Sequence, residues 1–283
     1  MPDYPTPAGF RAAVEARLRE RAHRLGVPAY VVRRQAAIER LLVRLSKVAP
    51  GRWAIKGGIG LETRLGGHAR VSLDLDADHI RGAEAARADL QRAAVQDLGD
   101  HFAFALVATE PLVSGPDRLA IRYSLEATLS GRPFEPVQVD VTIAPPSSWD
   151  PQPGERPGLL REFGLGPVTL ALVPLERQVA EKLHAYTRTY KGGGTTRARD
   201  VVDLLLIRQH GRVDPVVLRS AILKVFESRA THPVPESLAP PPQALEPAFR
   251  RDAASVGVVS ELSEAHHLLA EWLDPVLGEV HRR

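Results

Sequence analysis

The chain opens with helical spacing. Phe10, Val14, Leu18, Ala22 and Leu25 form an apolar stripe through residues 6–25, with Thr6 placed to cap and Pro7 suited to the first turn. A second helix is predicted over about 28–47. The period then shortens. Trp53-Ala54-Ile55 reads as a strand, a brief helix follows near 59–65, and residues 70–78 alternate. Side chains alternate faces along a strand, so Ser72, Asp74, Asp76 and Asp78 share one face, while Val71, Leu73, Leu75 and Ala77 point to a core. Residues 82–98 are alanine-rich and helical. Alternation returns in Phe102, Phe104 and Leu106, in Leu119, Ile121, Tyr123 and Leu125, and in Val137, Val139, Val141 and Ile143, which predicts three strands. Pro145 to Gly158 reads as a linker or surface loop. Four helices are expected beyond it, over about 174–190, 197–210, 214–228 and 259–278, with Pro233 to Pro247 as an extended connector. No internal repeat interrupts this order.

Strands followed by helices predict an α+β chain: N-terminal helices over 1–50, a core over 51–165 and a helical region over 166–283. Its 283 residues suffice for a sizeable core. The absence of cysteine excludes disulfides and cysteine-ligated zinc and fits a reducing cytoplasm. Met1-Pro2-Asp3-Tyr4-Pro5 does not resemble a signal peptide, and no apolar run approaches the ~20 residues of a membrane helix. A net charge of +3 permits a nucleic-acid partner without requiring one. Arginine dominates the cations, and lysine occurs only at Lys47, Lys56, Lys182, Lys191 and Lys224.

Asp74 and Asp76 are the most informative residues. Two like charges on one strand face call for a compensating cation, and oxygen donors suit a hard divalent metal. Asp140, the lone carboxylate in Val137-Gln138-Val139-Asp140-Val141-Thr142-Ile143, is expected to join them from a neighbouring strand. The bland alternative is a solvated acidic face. Gly57 and Gly58 precede a short helix, where bare backbone and a helix N-terminus suit phosphate, though a double glycine is more often only a turn. Lys56 and Arg70 flank this segment as phosphate cations or as plain surface charges. Lys182 shares a helix face with Leu175, Val179, Leu183 and Tyr186, so it either snorkels or projects into a polar site. Asp200 and Asp203 are one turn apart. Asp203 lies among apolar positions and needs a partner, which Arg197 or Lys182 can supply, whereas Asp200 also suits a helix N-terminus. Tyr190 to Thr196 is a glycine-rich basic loop. The histidines show no metal-ligand spacing.

Together these residues resemble the AbiEii-type nucleotidyltransferase toxins, including the MenT group. The resemblance runs through four ordered blocks: Lys56-Gly57-Gly58 to Leu61, Arg70-x-Ser72-x-Asp74-Leu75-Asp76, Leu175-Glu176 through Ala180-Glu181-Lys182-Leu183, and Arg197-x-Arg199-Asp200-x-x-Asp203-Leu204. It spans about residues 50–210. Ile59 departs from the small or hydroxyl residue common after the double glycine, and Arg199 replaces a frequent lysine. The resemblance implies a polymerase β-type core, a mixed sheet with flanking helices, plus a helical C-terminal region. It implies the toxin of a toxin–antitoxin pair that adds nucleotides, pyrimidines favoured, from an NTP to the 3′ end of tRNA and so blocks translation. A cognate antitoxin is the implied protein partner. Magnesium, with manganese as its alternative, is the implied cofactor, with Asp74 and Asp76 as ligands and Asp140 added by the strand argument. Asp74, Asp76 and Lys182, with Asp200 or Asp203 as a further acid, are the implied catalytic set. Lys56, Gly57, Gly58, Arg70, Ser72 and Lys182 are the expected nucleotide- or phosphate-binding set. Phosphorylation of Ser72, beside the two aspartates, would add about −1.5 to −2 charge and is expected to silence the site. Two rivals remain open at this point. One is the same chemistry on a small hydroxylated molecule or a protein. The other is a non-catalytic module that binds a nucleotide or partner.

Overall fold

Helix α1 (Pro7–Leu25) starts where Thr6 Oγ1 accepts the amide of Gly9 at 3.1 Å and stops at Gly26, whose left-handed backbone the missing side chain allows. Of its predicted stripe, Phe10, Val14, Leu18 and Ala22 are buried, while Leu25 at the helix end is exposed. The structure, a computed structural model, describes residues 6–113, 119–144, 149–188 and 197–282. The Tyr190 to Thr196 loop and residues 145–148 of the expected linker lie outside the described residues.

The chain divides into two compact units. The first comprises residues up to Thr63, Val71–Ser114 and Arg118–Val173; the second takes Arg64–Arg70 and the chain from Pro174 onward. The N-terminal helices thus belong with the sheet. In order, the first unit holds α1, α2 (Ala29–Val48), β1 (Trp53–Lys56), most of α3 (Gly57–Leu65), β2 (Leu75–His79), α4 (Ala83–Val95), β3 (Phe102–Val113), β4 (Leu119–Leu129), β5 (Arg132–Ile143), β6 (Gln152–Arg156) and β7 (Val168–Leu172). One mixed seven-stranded sheet runs β3-β4-β5-β2-β1-β7-β6. β2 pairs parallel with β5 and β1 parallel with β7, while the other neighbours are antiparallel.

Helices α2 and α4 pack on one face of this sheet. Leu75, Ala77, Val139, Val141 and Tyr123 are buried beneath them, which the alternation predicts. Two buried charge networks fix the helices. Arg44 and Arg40 of α2 bind Asp100, with Arg44 Nη2 at 2.7 Å from Oδ1 and Arg40 Nε at 2.7 Å from Oδ2. Asp89 of α4 accepts from Arg52 at 2.9 Å, from the Trp53 indole at 3.2 Å, and from Arg92, and contacts His79 Nε2 at 3.1 Å. Burial holds the His79 ring below its ordinary value despite that carboxylate.

Three expectations need correction. The acidic strand begins at Leu75, so Ser72 and Asp74 precede it; Val71 is exposed and Leu73 only half-buried, since neither is in the ladder. The short helix begins at Gly57, directly after β1. The segment after Pro145 is more than a linker, because Gln152–Arg156 forms the edge strand β6, where its proline and glycine cost least, and Val168–Leu172 enters the sheet as β7.

The second unit is helical: α5 (Leu175–Thr187), α6 (Ala198–His210), α7 (Pro215–Arg229), α8 (Glu246–Ala254) and α9 (Leu262–His281). α5 packs on α6 and α7, and α6 packs on α8 and α9. Asp214 caps α7 by accepting the amides of Val216 and Val217. Helix α8 was not expected. It follows the proline-rich connector and buries Phe249 and Ala253.

Candidate active site

The face of the sheet opposite α2 and α4 carries a charged row. Residues in direct register share a face. Across five strands the register reads Glu110 (β3), Arg122 (β4), Asp140 (β5), Asp76 (β2) and Lys56 (β1). Asp140 is therefore where the strand argument puts it, level with Asp76 on the adjacent strand. The row holds one like-charge neighbour pair, Asp76 and Asp140, with a cation on each flank.

Gly57 is fitted to this row. Its φ is +58°, in the left-handed region, and a Cβ there would meet Asp76 Oδ2 at 2.1 Å and Cγ at 2.8 Å. The sequence suggests that this glycine admits a phosphate; the structure shows that it admits the Asp76 carboxylate. Gly58 is buried in the first turn of α3, and Ile59 is a core residue rather than a phosphate contact.

Lys56 differs from expectation. It is largely buried, with Nζ 2.6 Å from Asp78 Oδ1 and donating to Thr142 Oγ1 at 3.1 Å. Diagonal neighbours on one sheet face are within reach of a lysine, so the ammonium is held inside the sheet by groups one register step away. Asp140 also has a firm partner. Arg122 Nε and Nη2 reach its Oδ1 and Oδ2, both at 2.7 Å. The Arg122 guanidinium is held above its ordinary value, first by that hydrogen bonding, with the charges of Asp140, Asp74 and Glu110 adding to it.

The expected cage of three carboxylates is not assembled: among the described residues no group of three acidic or histidine side chains is placed to hold one metal ion. The Arg122 fork holds both oxygens of Asp140 toward its own guanidinium. Asp74 and Asp76 remain as hard oxygen donors. They fit a divalent cation by donor chemistry and by the bare Gly57 backbone packed against Asp76.

Ser72 is buried rather than displayed on the strand. Its amide donates to Glu62 Oε1 at 3.1 Å and its hydroxyl donates to the Asp74 carbonyl at 3.3 Å. Glu62 was missed by sequence reasoning. It accepts from Gln35 at 2.6 Å and Arg156 at 2.8 Å as well, so one carboxylate ties α2, α3, β6 and the approach to Asp74 together. Burial raises its carboxyl above the usual range, against the pull of Arg156. The available signal was its place as the sole acid in Lys56 to Leu65.

Within the second unit, Lys182 lies on α5 and Asp200 and Asp203 on α6. Lys182 Nζ donates to Asp200 Oδ1 at 2.9 Å and to Asp203 Oδ2 at 2.7 Å. Arg70 donates from Nε and Nη2 to Asp203 at 2.8 and 3.0 Å. The spacing of Lys182 and Asp203 anticipated their contact, and the pairing of Arg70 with Asp203 was not anticipated. Arg197 approaches Asp200 at 3.8 Å, and the exposed Arg199 approaches Asp252 at 3.7 Å. Burial alone would raise the Asp203 carboxyl, but Lys182 and Arg70 together hold it below its ordinary value. Burial would likewise depress Lys182, and Asp200 and Asp203 overcome that to hold it above.

No helix among the described residues is long and apolar enough to cross a membrane. No curated protein matches the chain. Seven chains of solved structures do, among them one from the crystal structure of JHP933 from Helicobacter pylori. It is 15% identical, with a TM-score of 0.44, over 88% of this chain and 94% of that one. At that likeness it adds no argument. The family comparison is stronger, because the model of the nucleotidyl transferase AbiEii toxin, type IV toxin–antitoxin system, matches residues 40–266. That stretch takes in β1, the Gly57 turn, the aspartate strand and the Lys182–Asp203 cluster, and the chain belongs to the AbiEii nucleotidyltransferase toxin family.

Proposed function

We propose that this nucleotidyltransferase moves a nucleotidyl group from an NTP, a pyrimidine nucleotide by resemblance, onto the 3′ hydroxyl of a tRNA acceptor end. In this reaction the 3′ oxygen bonds to the α-phosphorus, the α–β phosphoanhydride bond breaks, and pyrophosphate leaves. The observation that supports this reading is Asp76 of β2 packed against the Gly57 turn, with Asp74 just ahead of the strand. Asp74 and Asp76 would hold magnesium, which supplies charge neutralisation at the transferring phosphate. Gly57 fixes the Asp76 carboxylate by contact, and Glu62 fixes the backbone that leads into Asp74. Lys182 and Asp200 are proposed to take part in transfer, with Asp203 and Arg70 holding their positions within the second unit. The antitoxin that the family implies is the proposed protein partner, and the cytoplasm the proposed compartment.

The test is incubation with labelled NTPs, magnesium and total tRNA. Label should appear in RNA and should vanish with Asp76→Ala. Label in a small molecule or a protein would replace the acceptor while keeping the chemistry. Undiminished RNA labelling by Asp76→Ala would overturn the site assignment.

A further inference from the structure

The charged row contains one contact that the transfer chemistry does not require. Arg122 binds Asp140 through a planar, bidentate fork, the strongest geometry open to such a pair. Both side chains are partly exposed, at 34% and 21%, so the fork lies within reach of solvent ions. Asp140 stands in direct register with Asp76 across the parallel β2–β5 pair, and Arg122 in direct register with Asp140 across β4–β5. Like charges directly opposed on a sheet repel each other. Lys56 flanks the pair on the Asp76 side. On the Asp140 side two kinds of cation can relieve the repulsion: a guanidinium, or a divalent ion that takes oxygens from both carboxylates. They compete, because the bidentate fork turns both oxygens of Asp140 toward Arg122 and its positive charge repels a cation approaching the same carboxylate.

We propose that Arg122 is a positioning residue that withholds Asp140 from the metal, so that it sets how tightly a divalent cation binds at Asp74 and Asp76. This rests on the reading of Asp74 and Asp76 as metal ligands given above. With the fork in place, the cation has two protein carboxylates. With the fork removed, Asp140 is free to turn toward Asp76 and serve as a third oxygen donor. The same competition makes a lysine at position 122 intermediate, since a point charge keeps the attraction but cannot cover both oxygens. Glu110, the next residue of the row, stands in register with Arg122 on its other side and offers the guanidinium an alternative partner. Release of Asp140 therefore does not strand the arginine without a carboxylate.

The experiment is titration of Mn2+ into the full chain, with free Mn2+ read by electron paramagnetic resonance and no NTP or RNA present. Arg122→Gln should bind Mn2+ about fivefold more tightly than the unsubstituted protein, the scale expected for a partly exposed ion pair. Arg122→Lys should shift affinity in the same direction by less. Adding Asp140→Asn to Arg122→Gln should cancel the gain, whereas Asp140→Asn alone should leave affinity nearly unchanged. Equal or weaker binding by Arg122→Gln, with normal binding by the unsubstituted chain, would overturn the role of Arg122 and leave the metal reading intact. Binding by neither protein would overturn both. A loss of affinity on Asp140→Asn alone would show Asp140 to be a standing ligand and would also overturn the proposal. A melting curve for each variant separates misfolding from lost affinity, and Arg122→Lys carries the test if Arg122→Gln does not fold.

Discussion

The sheet face of the first unit and the α5–α6 cluster of the second are both built from aspartates beside cations, yet they resolve their charge in opposite ways. Asp203 is fully buried, and its two oxygens are covered by Lys182 and Arg70. Asp76 is half-exposed and stands level with another carboxylate. A closed, desolvated ion set resists the loss of any member, because the remaining charge is left without compensation. The open set places two like charges in register at a partly exposed position, between Arg122 and Lys56, where a solvent cation can reach them. The difference separates a closed, buried ion set from a partly exposed one, although sequence alone presents them all as aspartates in motifs.

The largest effect should come from the contact on which the open set depends. Gly57→Ala strains a left-handed backbone and drives a methyl group into the Asp76 carboxylate. It should lower nucleotidyl transfer by about a hundredfold or more, the scale of a 1 Å displacement of a reacting group. Near-normal activity in a labelled-NTP assay would break the link between the glycine and the site.

Next, paired substitutions should separate stability from chemistry. Asp203→Asn should destabilise the protein by about 3–5 kcal/mol, since it leaves Lys182 and Arg70 undercompensated in a buried setting. Asp76→Asn should change stability by less than ~1 kcal/mol while abolishing transfer. Denaturant melts of both variants check this, and equal destabilisation would dissolve the contrast. The closed set also has a pH signature. Asp203 has a lowered folded-state value, so its contribution is complete above the unfolded value and is lost as pH falls through the folded one. Lys182 is raised, so its contribution is complete below the ordinary lysine value and is lost only in strong alkali.

A smaller effect sharpens the picture within the first unit. Glu39 of α2 is fully buried, accepts the Leu159 amide at 3.0 Å, and is pushed up to about 7, chiefly by burial. The folded state then binds more protons than the unfolded state between about pH 4.5 and 7, so stability should fall as pH rises through that window, by up to ~3 kcal/mol. Glu39→Gln keeps an acceptor and should flatten the fall, raising the melting temperature at pH 8 but not at pH 4. Smallest of all, Arg197→Ala removes a rim contact of the closed set, 3.8 Å from Asp200, and should cost less than ~1 kcal/mol by the same melts.

Local patterns were legible where the physics is local. The α1 stripe, the Thr6 cap, the alternation of β4 and β5 and the apolar burial of α6 follow from spacing, and the structure keeps them. Asp140 was found because one acid in a run of valines must face away from the core. Pairings between distant elements were not legible. Arg70 and Asp203 are 133 residues apart, and nothing near either names the other. Arg122 reads as one more polar position in an alternating strand until the register sets it opposite Asp140. Strand β6 hid behind a proline and a glycine that only a sheet edge tolerates, and β7 was too short to stand out ahead of a long helix.

The position of β7 has a consequence for synthesis. This strand, Val168–Leu172, lies between β1 and β6, so the sheet cannot be completed in the order in which the ribosome delivers it. At ~5–20 residues per second, Trp53–Lys56 waits several seconds with one backbone edge unmatched. Until Leu172 has emerged, a growing chain carries its acidic residues on an unfinished scaffold, and the toxin's birth is separated in time from its competence.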